Sequence, residues 1–196
     1  MHLKGLLAAW WLPATIIAVG LALQLSGGEG LAALRYERTA IAGGEVWRLI
    51  AGHWVHLGMG HFVLNAAGLV LVWYLAGSAY SQLQWLLVIA GSLVVMDAGF
   101  WILMPELDWY VGLSGLLHGM LAAGVVGLWR HRRTEAMVIG GVLAAKLAYE
   151  IVVGPLPGSA ATAGGAVITE AHLFGALGGF LTAWLISRRV ASAAPI

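Results

Sequence analysis

Two short motifs carry residue types suited to acyl transfer: a serine in Gly112-Leu113-Ser114-Gly115 and a histidine in Ala171-His172-Leu173-Phe174-Gly175, each heading an apolar stretch. A serine hydroxyl is a weak nucleophile until a base takes its proton, so an imidazole within hydrogen-bond reach is the minimum requirement. At a helix start the serine also meets unpaired backbone N–H groups and the positive end of the helix dipole, which favour a developing oxyanion. His61 and Asn65, at i and i+4, share a helical face and supply further donors for that charge. Each residue alone has a plainer role: a serine bonding back to its own helix, a histidine satisfied between helices, an asparagine joining two segments.

The elements that must hold these residues are membrane helices. Of the 196 residues, 61% are hydrophobic and 10% charged, and the mean hydropathy is +0.89, a composition foreign to soluble domains. Apolar stretches long enough for a ~30 Å hydrocarbon core occur at about 5 to 25, 57 to 76, 83 to 104, 112 to 129, 136 to 153 and 168 to 187. The expectation is an all-α polytopic bundle of six transmembrane helices forming a single domain over 1–196. The first stretch outlasts a signal-peptide core and lacks a clean small-x-small site after it, so it reads as a retained helix. A net charge of +1 and no cysteine point to no nucleic-acid partner and exclude disulfides and thiolate metal sites.

Cationic residues orient the bundle. Lys4, Arg130, Arg132, Arg133, Arg188 and Arg189 fall on one side of a six-span arrangement, and Arg35, Arg38 and Arg48 on the other, which predicts cytoplasmic termini. The 26 to 56 segment, the Pro105 to Tyr110 loop and the Gly154 to Val167 loop then face outward, and the first of these is amphipathic enough to lie along the membrane surface.

Depth follows from helix rise. Ser114 precedes Arg130, and His172 precedes Arg188, by sixteen residues, placing both ~24 Å from the inner charges. His61 precedes the turn at Gly77 by the same number. Gly115 and Gly119, and Gly175 and Gly179, form two small-xxx-small faces that invite close contact of the fourth and sixth spans. Three charges lie inside apolar stretches: Asp97, Lys146 and Glu150. Intramembrane charges are usually paired, and distances counted back from Pro105 and Pro155 predict a structural cluster of all three, joining spans three and five.

In this order and spacing the motifs resemble those of the rhomboid intramembrane serine proteases. Gly112 to Gly115 matches their Gly-x-Ser-Gly, Ala171 to Gly175 their Ala-His-x-x-Gly, and His56, His61 and Asn65 their His-x-x-x-x-His-x-x-x-Asn. Glu45-Val46-Trp47-Arg48 matches their Glu-x-Trp-Arg. The resemblance implies a six-helix rhomboid-like bundle without cofactor or metal. It makes Ser114 the nucleophile, His172 the general base, and His61, Asn65 and the Ser114 backbone N–H the oxyanion hole. Gly112, Gly115 and Gly175 support the site, and Glu45 and Arg48 brace the first outer loop, unless they form only a surface ion pair.

At i+4 from the serine, where many rhomboids carry a tyrosine stacked on the catalytic histidine, this chain has His118. Gly-Leu-Ser-Gly-Leu-Leu-His-Gly is similar to the rhombosortase branch, bacterial inner-membrane proteases paired with exported proteins that end in a Gly-Gly motif, an apolar helix and a basic tail. That branch implies an active site opening to the periplasm. It implies membrane-anchored Gly-Gly-tailed substrates, and an acyl-enzyme resolved by water or by an amine. His118 itself faces the same side as Ser114 and is a second candidate base, although packing against His172 suits it better. Alternative readings are a general rhomboid protease for other single-span proteins, an inactive rhomboid-like binding protein, and a small transporter with His53, His56 and His61 as ligands.

Overall fold

The computed structural model describes residues 3–192. Among these residues ten α-helices follow in order: α1 (Leu3–Gln24), α2 (Gly27–Leu34), α3 (Arg38–Ala42), α4 (Arg48–Ala51), α5 (Met59–Ala76), α6 (Gln82–Leu103), α7 (Ser114–Leu128), α8 (Arg133–Val152), α9 (Ser159–Ala163) and α10 (Thr169–Ser192). The two terminal pieces of the expected 1–196 domain, 1–2 and 193–196, lie outside the described residues.

All six apolar stretches of the sequence fold as long helices: α1, α5, α6, α7, α8 and α10. Met59–Ala79 and Gln82–Leu103 are long and apolar enough to cross a bilayer, and α1 joins α2 through a bend of 114° as a broken third candidate. With 15 residues α7 is short for a crossing, and α8 carries Arg133, Glu135, Lys146 and Glu150. A lipid-facing belt is nonetheless evident, since Leu64, Leu71 and Tyr74 on α5, Leu83, Val94 and Ile102 on α6, Val138 and Val152 on α8, and Phe180, Leu181 and Leu185 on α10 all point out of the bundle. So large an apolar surface suits only a lipid environment. Arginine–tryptophan pairs lie towards both ends of that belt: Arg133 on Trp129 and Arg188 on Trp184 at one, Arg35 on Trp109 and Arg38 on Trp101 at the other. Amphipathic aromatic rings favour that level of a membrane.

Helix ends are set by local chemistry. Ser81 and Gln84 form a reciprocal capping box at the start of α6. At its other end the Arg38 guanidinium donates to the carbonyls of Phe100 (2.6 Å) and Met104 (2.8 Å), satisfying acceptors that α6 leaves open and meeting the negative end of its dipole. Pro105 cannot extend that helix.

The centre of the bundle is α7, which packs on α5, α6, α8 and most closely on α10. Small residues permit this: Gly115, Gly119, Ala122, Ala123 and Gly124 are all buried. The glycine faces of α7 and α10 meet backbone to backbone. A Cβ on Gly175 would collide with the Gly115 carbonyl, and one on Gly179 with that of Gly119. Above them β1 (Tyr36–Glu37) pairs antiparallel with β2 (Trp109–Tyr110), Tyr36 opposite Tyr110. This bridge ties the segment after α2 to the turn that delivers Ser114.

Candidate active site

Ser114 is the first residue of α7. The turn before it needs Gly112 for two reasons: its φ is +123°, a region costly for residues with a Cβ, and a Cβ there would lie 2.8 Å from His61 Cε1. Tyr110 donates its hydroxyl to the Gly112 carbonyl at 2.9 Å, and the Gly112 N–H donates to the Gly52 carbonyl at 3.2 Å. The serine thus leaves a turn fixed by both β2 and the α4 segment.

His172 lies in the first turn of α10. Glycine contact between α7 and α10 brings its Nε2 to 3.0 Å from Ser114 Oγ. The ring of His118 stacks on that of His172, centroids 4.2 Å apart and 19° from parallel, while His118 Nδ1 lies 2.7 Å from the Ser114 carbonyl oxygen. That bond returns to its own helix, so His118 is spent on the backbone and on stacking. It is His172 that points at the hydroxyl.

The opposite edge of His172 meets α8. Its Nδ1 is 2.9 Å from Glu150 Oε2, and the other carboxylate oxygen is 2.7 Å from Lys146 Nζ. The expected three-membered charge cluster is therefore corrected. Lys146 and Glu150 pair, but Asp97 does not join them, because α7 and α10 both lie between α6 and α8. Asp97 Oδ1 instead meets His53 Nε2 at 3.1 Å, beneath the segment after α4, where the His53 ring packs on Phe100 and Tyr110.

His118, Glu150 and His172 are also the group with metal-ligating atoms in mutual reach among the described residues, within 4.8 Å of one another. The Lys146 ammonium already supplies a cation to Glu150 there. His53, His56 and His61 do not form such a group among the described residues.

A cavity of about 490 Å³ opens beside the serine, walled by Leu57, His61, Trp109, Tyr110 and residues 164–168 of the loop before α10. His61 Nδ1 accepts the Leu57 N–H at 3.4 Å, so the neutral ring carries its proton on Nε2, a donor on the cavity side. His56 packs edge-on against that ring at 5.1 Å. Asn65 is buried, and its Nδ2 donates to the His61 carbonyl at 3.1 Å, leaving one amide hydrogen.

Glu45 and Arg48 form more than a surface pair. Arg48 is only 7% exposed. Its Nε donates to Glu45 at 2.7 Å and its Nη1 to the carbonyls of Ala32 (2.8 Å) and Arg35 (3.0 Å), pinning α2 to α4. Nearby, the hydrogen bond from Arg35 holds the Glu37 carboxyl below its ordinary range.

The sequence places Glu150 in a charge cluster but does not join it to His172, although a signal for that contact is present. Measured from the inner charges, Glu150 follows Arg133 by seventeen residues, ~26 Å along a helix, the depth already assigned to Ser114 and His172. Counting from Pro155 instead directed attention to Asp97.

The description "Rhomboid domain" belongs to a family model that matches residues 43–189, and this span holds Glu45, His61, Ser114, Glu150 and His172. A protein of Bacillus subtilis (strain 168) named "Putative rhomboid protease YdcA" is 27% identical over 146 residues, covering 74% of this chain and 69% of its own.

Proposed function

Because the chain belongs to the rhomboid family of intramembrane proteases, we propose that Ser114 is its nucleophile and His172 its general base, in a bilayer-embedded serine endopeptidase of the rhombosortase type. The observation that carries this reading is the 3.0 Å approach of His172 Nε2 to Ser114 Oγ beside a cavity.

The site is suited to the following steps. A substrate helix unwinds at small residues near the membrane boundary and its backbone enters the cavity. His172 takes the Ser114 proton as Oγ attacks the carbonyl carbon, and the tetrahedral oxyanion meets the Nε2–H of His61, the Ser114 backbone N–H and the remaining amide hydrogen of Asn65. Collapse expels the amine, which receives the proton from His172, and leaves an acyl-enzyme for water or a second amine to resolve.

A Gly-Gly segment unwinds at little cost because glycine disfavours helix. The stacked His118 in place of a tyrosine favours the rhombosortase branch, and with it exported substrates bearing a Gly-Gly motif, an apolar helix and a basic tail. The remaining topology belongs to the same proposal: six spans in a bacterial inner membrane, cytoplasmic termini and a cavity open to the periplasm.

The test is cleavage of a Gly-Gly-tailed membrane protein in liposomes by the full chain and by Ser114→Ala, with intact masses of the products. Serine-dependent cleavage beside the glycines is expected. Serine-dependent cutting of a generic single-span substrate but not of this one would remove the rhombosortase assignment and keep the protease.

A further inference from the structure

Catalysis by a serine and a histidine alone leaves the imidazole free to choose its tautomer and to rotate. Here neither freedom remains. Building on the protease reading, we propose that Glu150 is a positioning residue for His172, and that Lys146 is the fixed counter-cation which lets that carboxylate work inside an apolar bundle.

The two ring nitrogens of His172 have different tasks. Nε2 must hold a lone pair toward Ser114 Oγ to accept its proton, so Nδ1 must carry the hydrogen. The acceptor in reach of Nδ1 is Glu150 Oε2, at 2.9 Å and on a different helix. That contact selects the productive tautomer, aims the ring, and stabilises the imidazolium that forms when the Ser114 proton arrives. The proton stays on Nε2 until the leaving amine takes it, and Glu150 is not protonated at any step.

An isolated carboxylate would be costly here, since Glu150 is only 5% exposed and buried charges need a partner. Lys146, one turn earlier on the same helix, provides it at 2.7 Å. Its ammonium also lies 3.3 Å from His172 Nδ1. An ammonium has no lone pair with which to accept the Nδ1–H, so it cannot take over the role of Glu150. Ser114, His172 and Glu150 come from α7, α10 and α8, and three separate helices therefore converge on one proton path. A purely structural ion pair needs only Lys146 and Glu150, which are neighbours on one helix face. It gives no reason for the second carboxylate oxygen to face the imidazole.

The experiment uses the full chain in liposomes with Glu150→Gln and Glu150→Asp. It reads kcat and KM, together with the ¹⁵N shifts of the His172 ring recorded in a Ser114→Ala background. Glutamine offers its amide N–H to Nδ1 and drives the proton to Nε2. The expected result is a kcat lower by about 10² to 10⁴-fold with KM little changed, as for other misassigned tautomers, and an Nε2–H signal for His172. Aspartate, one methylene shorter, keeps the Nδ1–H signal and recovers part of kcat.

A Glu150→Gln protein with kcat within about threefold of wild type and His172 still protonated on Nδ1 would overturn the proposal. Should Glu150→Gln not fold, Glu150→Asp decides: Nδ1–H retained with partial kcat supports it, and an Nε2–H ring with undiminished kcat sinks it. If the wild-type protein cleaves nothing, the protease reading falls, and the ring shifts still report whether Glu150 sets the tautomer.

Discussion

Replacing Gly175 by alanine changes one hydrogen into a methyl group at the point where α10 lies against α7. The added Cβ would be 2.6 Å from the Gly115 carbonyl carbon, whereas ordinary contact begins at 3.4 Å. Backbone atoms cannot rotate aside and the Gly115 carbonyl oxygen lies closer still, so the helices must part by at least about 0.8 Å, the difference between these distances. Ser114 begins α7 immediately before Gly115, and His172 precedes Gly175 by less than one turn, so the separation passes almost directly to the reacting pair. Added to 3.0 Å, it carries Ser114 Oγ and His172 Nε2 to ~3.8 Å, beyond hydrogen-bond range.

Misplacement by ~1 Å costs about 10²-fold in rate, and overpacking of this kind costs ~1 to 3 kcal/mol in stability. The assay is single-turnover cleavage in liposomes with thermal unfolding of the same preparations. Gly141→Ala on α8, where nothing lies within 4 Å of the new Cβ, is the control expected to keep wild-type activity. A Gly175→Ala enzyme cleaving within about twofold of wild type, with an unchanged melting temperature, would refute the claim that glycine contact sets the catalytic distance.

Gly112→Ala combines an unfavourable φ with a clash against His61, so cleavage should fall by at least about 10²-fold; wild-type rates would show that this turn does not govern the site. Arg48→Ala strips Glu45 and two carbonyls of their buried donor and should lower stability by about 1 to 3 kcal/mol, seen as a drop in the melting temperature. His118→Ala removes a stacked ring worth about 1 kcal/mol and should slow cleavage roughly fivefold, while His172→Ala abolishes it; the reverse ranking would make His118 the base.

Much of this arrangement was legible because membrane burial imposes strong constraints. The apolar stretch at 57 to 76 is α5 (Met59–Ala76), and that at 83 to 104 is α6 (Gln82–Leu103), since twenty apolar residues have few alternatives to helix in lipid. Ser114 and His172 were matched by counting residues to the inner arginines, and the glycine spacing indicated which faces would meet. The segment from 26 to 58 resisted such counting. Its helices are short, its path is set by Arg38 and Arg48 reaching distant carbonyls, and no periodicity announces those bonds. For the same reason the partner of Asp97 was missed: His53 sits in that irregular segment, and pairing it to α6 requires knowing how the loop folds back. Glu150 was rightly set beside Lys146 but joined to Asp97 rather than His172, because depth alone does not say which helices stand between two charges.

The measurement that addresses the central claim most directly is covalent capture of the nucleophile. The full-length protein in liposomes would be treated with a fluorophosphonate, and the adduct counted by intact mass and located by peptide mapping. A single adduct on Ser114 is expected, absent in Ser114→Ala and formed at least about 10³-fold more slowly in His172→Ala. An adduct that persists in Ser114→Ala, or a His172→Ala protein labelled at the wild-type rate, would contradict it.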